Sequence, residues 1–435
     1  MAENATENNI TGIKNLLWGP GEVRTDIFKR WSQGFYFSET EKSALEQSEG
    51  GPCAIIAPVQ AYIIKNLLLE YSNLSFREQV TNETQNQYLV SALVEILALC
   101  NVQKYHIVYL SDEFREKEEA SRIKSDASDA PRTSTCDPVL FHDNLRVEQL
   151  PSIFDVRKYY LSHIEDLKGQ YGLLMFLYSV ILSRGLEQVK SESDTQDPLI
   201  DATYGYGSQS LINLMITGRA TTYVWDNDQD VGGLRLQGIE RQSQIGFITI
   251  MEHLRFCTVG NYYKNPVHPV WVLASDTHLT VLYSDEKKLV SPETKSEMAR
   301  RVFKNFDPDG NNFIKANLLQ DVLQSLELVS EKDYVDIMKK KLDEESLGII
   351  LLDAFMHEFF PKEESSTPDM FTLIHYNGLA QSNMNGQVQY HVGSAILLES
   401  DLKSICESNP MLTVLQTKWP NIEVNWFQNV TPSLN

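Results

Sequence analysis

The sequence predicts an α+β fold whose strand-rich second half is split by a helical insert. Three observations carry this. A long apolar run at helical spacing follows Cys53 and reaches Tyr71. Two alternating β-branched runs, Val270–Ala274 and His278–Tyr283, flank the turn Ser275-Asp276-Thr277. Residues about 292–361 are helical in pattern with two loops, and strands resume from Met370.

The elements follow in order. Helical patterning covers Val23 to Trp31, and Phe35 to Ser38 is a short strand or turn. Ala54 to Tyr71 is a helix that Pro58 can bend, because proline lacks a backbone donor. Tyr88 to Leu99 is a second amphipathic helix, and His106 to Leu110 is a strand. Residues 111–137 are polar, charged and aperiodic, the pattern of a solvated loop or disordered insertion. Phe154 to Tyr160 and Gly172 to Val180 return to core-like sequence, and 191–198 is another polar loop. Gly207-Ser208-Gln209 before Leu211 reads as a capped helix start. Gly246 to Arg255 is a helix or strand. After the insert come Phe371 to Tyr376, Val388 to Leu398 and Ile422 to Trp426. The expected division is 1–290, an insert at 291–362, and closing strands over 363–435.

The candidate chemistry sits in Gln47-Ser48-Glu49-Gly50-Gly51-Pro52-Cys53. Glycines allow a sharp turn, and proline suits a helix entrance. A cysteine at a helix N-terminus meets free N–H groups and a partial positive charge, which favour thiolate. The Gln47 amide is placed to donate at the same point. Free cysteine more often packs as a small hydrophobe. The glycines, proline and helix start set Cys53 apart from Cys100, Cys136, Cys257 and Cys406, which lack that setting.

A nucleophilic thiol needs a base. His278 opens a strand after a polar turn near the middle of the expected sheet. A cysteine on a helix facing a histidine on a strand is the papain-like arrangement, recognised by geometry rather than spacing. A structural histidine at a strand start fits the spacing equally, and His375 is the main competitor. His106, His142, His163, His253, His268, His357 and His391 lack a comparable setting. Asp276, Asp285 and Asn377 are all open as the residue that orients His278.

Within the insert, Asp307 to Leu318 resembles an EF-hand calcium loop, with Asp307, Asp309 and Asn311 at the first three ligand positions and Ile314 at the eighth. Asp343 to Ala354 is a second candidate, and Ile314 and Ile350 would pair. Leu318 and Ala354 replace the bidentate glutamate, and Asn312 stands where glycine is usual. The expectation is an EF-hand-like structural module with no metal, Asp307, Asp309 and Asn311 being the weak calcium candidates. No cofactor is expected.

Composition narrows the partners. The net charge is −21, from 59 acidic and 38 basic residues, which disfavours nucleic acid and anionic membrane. Five cysteines without regular spacing argue against a disulfide framework and against CxxC zinc sites. The first residues show no signal-peptide pattern, and no apolar stretch is expected to approach the ~20 residues that span a bilayer. An intracellular, reduced protein follows.

Taken together, several blocks resemble the MINDY family of deubiquitinases. They are Gln47 with Gly51-Pro52-Cys53, Thr277 to Val281, Gly207 to Leu214, His375 to Leu379 and Trp419 to Glu423. The EF-hand-like insert places the chain closest to that family's third, insert-bearing member. The resemblance implies a MINDY-type, papain-like core that cleaves lysine-48-linked polyubiquitin through a thioester. Cys53 would be the nucleophile, His278 the general base and Gln47 the oxyanion donor. Polyubiquitin and ubiquitinated proteins would be the partners, in nucleus and/or cytoplasm. The competing readings are a catalytically weak ubiquitin-binding scaffold that uses the insert, and a different papain-like amidase.

Overall fold

The computed structural model describes residues 2–71, 74–115, 136–292, 294–307, 310–362, 367–383, 385–398 and 409–435. Most of the loop expected at 111–137, as well as Cys406 and Asp309, lie outside them. The fold is α+β, in two compact units: residues 1–287 with 369–435, and residues 288–368.

The larger unit is built on the helix Cys53–Tyr71, of which every residue from Cys53 to Lys65 is buried. It packs against the helices Gln85–Leu99 and Gln209–Thr217 and the strands Val270–Ala274 and Leu279–Tyr283. At 19 residues it is long and apolar enough to cross a membrane. That corrects the expectation that no stretch would be. A helix that is apolar on every side can also be the buried centre of a domain, and Cys53–Tyr71 is 78% buried over its most apolar window.

A six-stranded sheet lies on this helix. Its order is Ile422–Trp426, Tyr390–Leu397, Met370–Tyr376, Leu279–Tyr283, Val270–Ala274, Gly246–Thr249. All neighbours are antiparallel except the last pair, which is parallel. The ambiguous segment Gly246 to Arg255 is both things in turn: the strand Gly246–Thr249, then the short helix Ile250–His253, capped by the Thr249 hydroxyl. Thr280, Val281 and Leu282 are buried with their neighbours, so this strand is covered on both faces. Tyr376 stands opposite Val281 and His375 opposite Leu282, although residues 288–368 separate the two strands in sequence.

The smaller unit has its own core of Phe303, Ile314, Leu319, Val322, Leu323, Ile350 and Phe355. A capping box of Thr294 and Glu297 starts its first helix, Lys295–Asn305. Two short strands, Phe313–Lys315 and Ile349–Leu351, pair antiparallel with Ile314 opposite Ile350. Each preceding loop is closed by an aspartate. Asp307 accepts from the Asn311 and Asn312 N–H groups, and Asp343 from those of Leu347 and Gly348.

Candidate active site

The turn before Cys53 is held by its backbone. Gly51 has φ +131°, a conformation that L side chains rarely adopt. A Cβ there would stand 3.2 Å from both the Gly205 carbonyl and the Trp31 indole nitrogen. Trp31 Nε1 donates to that same Gly205 carbonyl at 2.9 Å, and Arg30 Nη2 donates to the Tyr204 carbonyl at 2.7 Å. Gly207 lies so close to Ala54 that a side chain would collide with it. The helix Thr25–Trp31 and the loop before the helix Gln209–Thr217 thus fix where the turn before Cys53 can sit. Ser208 caps the latter helix, as its sequence signal predicts, by accepting from the Leu211 N–H.

Cys53 is the first residue of its helix and is 4% exposed. Its thiol lies 3.7 Å from the Gly51 carbonyl. Burial pushes the thiol pKa up to about 11, against the pull of the Leu279, Ala54 and Cys53 N–H groups, which favour thiolate. The Leu279 contact puts the sulfur beside the residue that follows His278.

His278 is buried, and burial lowers its pKa to about 4 despite a hydrogen bond to Asn377 that favours the charged ring. That bond joins His278 Nε2 and Asn377 Oδ1 at 3.0 Å. The Asn377 Oδ1 also accepts from the Leu379 N–H at 3.0 Å, so it is an acceptor by necessity, and the histidine Nε2 carries the proton. Nδ1 is left as the basic nitrogen. Of the three residues left open to orient His278, Asn377 is the one that bonds to its ring; Asp276 and Asp285 are exposed. Burial thus disfavours the charged form of both the thiol and the imidazole.

Gln47 is 2% exposed. Its backbone N–H donates to the Gly378 carbonyl at 2.8 Å, and it bridges to Leu379 in parallel. The stretch Asn377 to Leu379 therefore ties Gln47 and His278 to one another. The Gln47 Nε2 donates to the Glu49 carbonyl at 2.8 Å, leaving its second N–H for another acceptor. His375, two residues before Asn377, is fully buried, and neither of its ring nitrogens has a hydrogen-bond partner among the described residues. The four described cysteines are free, and no cluster of metal-ligating side chains occurs among the described residues.

A buried cysteine at a helix start, its sulfur reached by the N–H of the residue after an amide-backed histidine, is an arrangement that thiol hydrolases use. Residues 14–306 match the family model "Deubiquitinating enzyme MINDY-3/4, conserved domain". The chain is 51% identical to the ubiquitin carboxyl-terminal hydrolase MINDY-3 homolog of Drosophila melanogaster, covering 99% of this chain and 84% of that one. It is 46% identical to MINDY-3 of Danio rerio and 44% to MINDY-3 of Homo sapiens, each over 97% of this chain and 98% of the relative. No solved structure matches. The chain belongs to the MINDY family of deubiquitinating enzymes.

Proposed function

We propose that this protein hydrolyses the isopeptide bonds of lysine-48-linked polyubiquitin by cysteine catalysis on a papain-like core. The observation that carries the reading is the His278 Nε2 to Asn377 Oδ1 bond, which leaves Nδ1 free as a base on the residue before Leu279, whose backbone N–H reaches the helix-start Cys53 sulfur. Burial disfavours charge on both groups, so His278 takes the thiol proton as the sulfur attacks. The Cys53 sulfur bonds to the isopeptide carbonyl carbon. The resulting oxyanion receives the free Gln47 N–H and the Cys53 backbone N–H. Collapse expels the lysine amine with a proton from His278 and leaves a thioester. Water, deprotonated by His278, then releases the ubiquitin carboxylate and regenerates the thiol. The acidic chain suits steering towards basic ubiquitin surfaces.

The reading is tested with ubiquitin carrying a C-terminal electrophile. Covalent capture by the protein, lost in Cys53→Ala, is expected; capture that persists in that variant would overturn the nucleophile. A panel of linkage types tests the chain preference, and equal cleavage of all types would refute it.

The insert is read as an EF-hand-like module that holds no calcium. Asn312 and Gly348, with φ +60° and +76°, occupy the sixth position of their loops, where the turn is sharpest. Leu318 and Ala354 stand where the bidentate glutamate would complete each loop, so each loop lacks two oxygen ligands and one charge. Millimolar calcium is expected to leave the melting temperature unchanged, and a calcium-dependent rise would refute the reading.

A further inference from the structure

The strand Ile422–Trp426 is at the edge of the six-stranded sheet, yet the segment after it returns to the middle. It passes through Gln428 and Asn429, both in the left-handed region at φ +62° and +56°. Non-glycine residues stay in that region when their surroundings hold them there. Pro432 and Leu434 are buried. The segment then meets both supports of His278.

The first support is the Asn377 amide. Its Nδ2 donates to the Ser433 carbonyl at 3.2 Å, while its Oδ1 takes the Leu379 N–H and the His278 Nε2–H. Rotating the amide by half a turn would set its N–H groups against two other donors and its oxygen against the Ser433 carbonyl. The Ser433 carbonyl thus helps keep the acceptor end of Asn377 towards His278, and with it the tautomer that leaves Nδ1 basic. The second support is the turn before the histidine. The Ser275 hydroxyl oxygen accepts from the His278 N–H at 3.0 Å and from the Thr277 N–H at 3.3 Å. The Ser275 and Thr277 hydroxyls in turn donate to the side-chain oxygen of Asn435.

We propose that Ser433–Asn435 is a positioning element for His278, its Ser433 carbonyl fixing the Asn377 amide and its Asn435 side chain fixing the Ser275–Thr277 turn. The proposal rests on the reading of His278 as the general base. None of these residues touches the reacting atoms; they act through Asn377 and the turn.

The test uses the full chain, the chain lacking residues 433–435, Asn435→Ala, Asn435→Asp and His278→Ala. The substrate is ubiquitin with a fluorogenic C-terminal amide, and kcat, KM, melting temperature and the pH–rate profile are measured. Removing 433–435 is expected to lower kcat about 10- to 100-fold, the scale of a misplaced catalytic group. KM is expected to stay within about twofold, and the melting temperature to fall only by the few degrees that loss of the buried Leu434 costs, leaving the chain folded at the assay temperature. The acidic limb of the kcat profile should move, because the environment of His278 has changed. Asn435→Ala should show a smaller loss of the same kind, and Asn435→Asp, which keeps the acceptor oxygen, should recover most of it. A shortened chain with full kcat overturns the proposal, as does a loss of kcat that only tracks a fall in melting temperature. If the shortened chain does not fold, the two Asn435 variants decide: equal rates overturn the proposal. A full chain that is inactive, or a His278→Ala variant that keeps its rate, overturns instead the reading on which the proposal rests.

Discussion

Two histidines on neighbouring strands of one sheet have opposite surroundings. His278 precedes the strand Leu279–Tyr283, and His375 lies within the strand Met370–Tyr376. Both are buried, and burial drives both pKa values down, to about 4 for His278 and well below the usual histidine value for His375. Neither burial nor pKa separates them. What separates them is company. His278 has a fixed acceptor on Nε2 and follows a hydrogen-bonded turn. His375 stands among His391 and Trp426, ring centroids 6.4 Å from each, with no described acceptor or donor. A base must hold one tautomer and aim one nitrogen, and only a partner can impose that.

The largest effect that can break this comparison is catalytic. His278→Ala is expected to lower the rate of ubiquitin release by about 10²–10⁴-fold, the scale of lost general base catalysis. His375→Leu, nearly equal in volume, is expected to keep the rate within about threefold, as a substitution away from the reacting groups. Steady-state assays on both variants check the pair. A dead His375→Leu alongside an active His278→Ala would reverse the assignment.

Next in size is Gln47. Its backbone is pinned to Gly378 and its amide gives one N–H to the Glu49 carbonyl, which aims the other. Gln47→Ala is expected to cost about 10²–10³-fold in kcat with little change in KM, the signature of a donor used at the oxyanion. A loss confined to KM would instead assign Gln47 to ground-state binding.

Much of this was written in local sequence. Gly51, Pro52 and the apolar run after Cys53 announce a turn into a buried helix, and that is where Cys53 stands. The hairpin around Ser275–Thr277 and the interrupted strands were legible for the same reason: alternation and turn residues are short-range signals. Asn377 was one of three open choices. Its selection depends on the pairing of Tyr376 with Val281, across residues 288–368. Ser433 and Asn435 carried no signal, because a backbone carbonyl has no residue type and one asparagine resembles another. The membrane criterion failed on Cys53–Tyr71 because Gln60 and Lys65 interrupt its apolar run, yet both are buried with partners: Gln60 accepts from the Leu45 N–H, and Lys65 pairs with Glu95.

The smallest expected effect is on stability, and it probes His375 directly. A histidine kept neutral by burial protonates more readily in the unfolded chain, at its ordinary pKa near 6.5. Below that pH the unfolded state binds the extra proton, so stability is fully present above about 6.5 and falls as pH drops. For His278 the loss ends near pH 4, where the folded form also protonates. Between pH 7 and pH 5 each buried histidine thus takes away about 2 kcal/mol at most, at ~1.4 kcal/mol per pH unit below its ordinary value. His375→Leu removes one such term without opening a cavity. Denaturant unfolding at the two pH values should show the variant losing less stability than the parent chain, by at most about 2 kcal/mol. It should also be as stable as the parent or about 1 kcal/mol more so at pH 7, where a buried polar group without a partner has been replaced by an apolar one. Equal acid sensitivity in the two chains would mean that His375 finds a partner for its proton in the folded protein, and the contrast with His278 would then rest on catalysis alone.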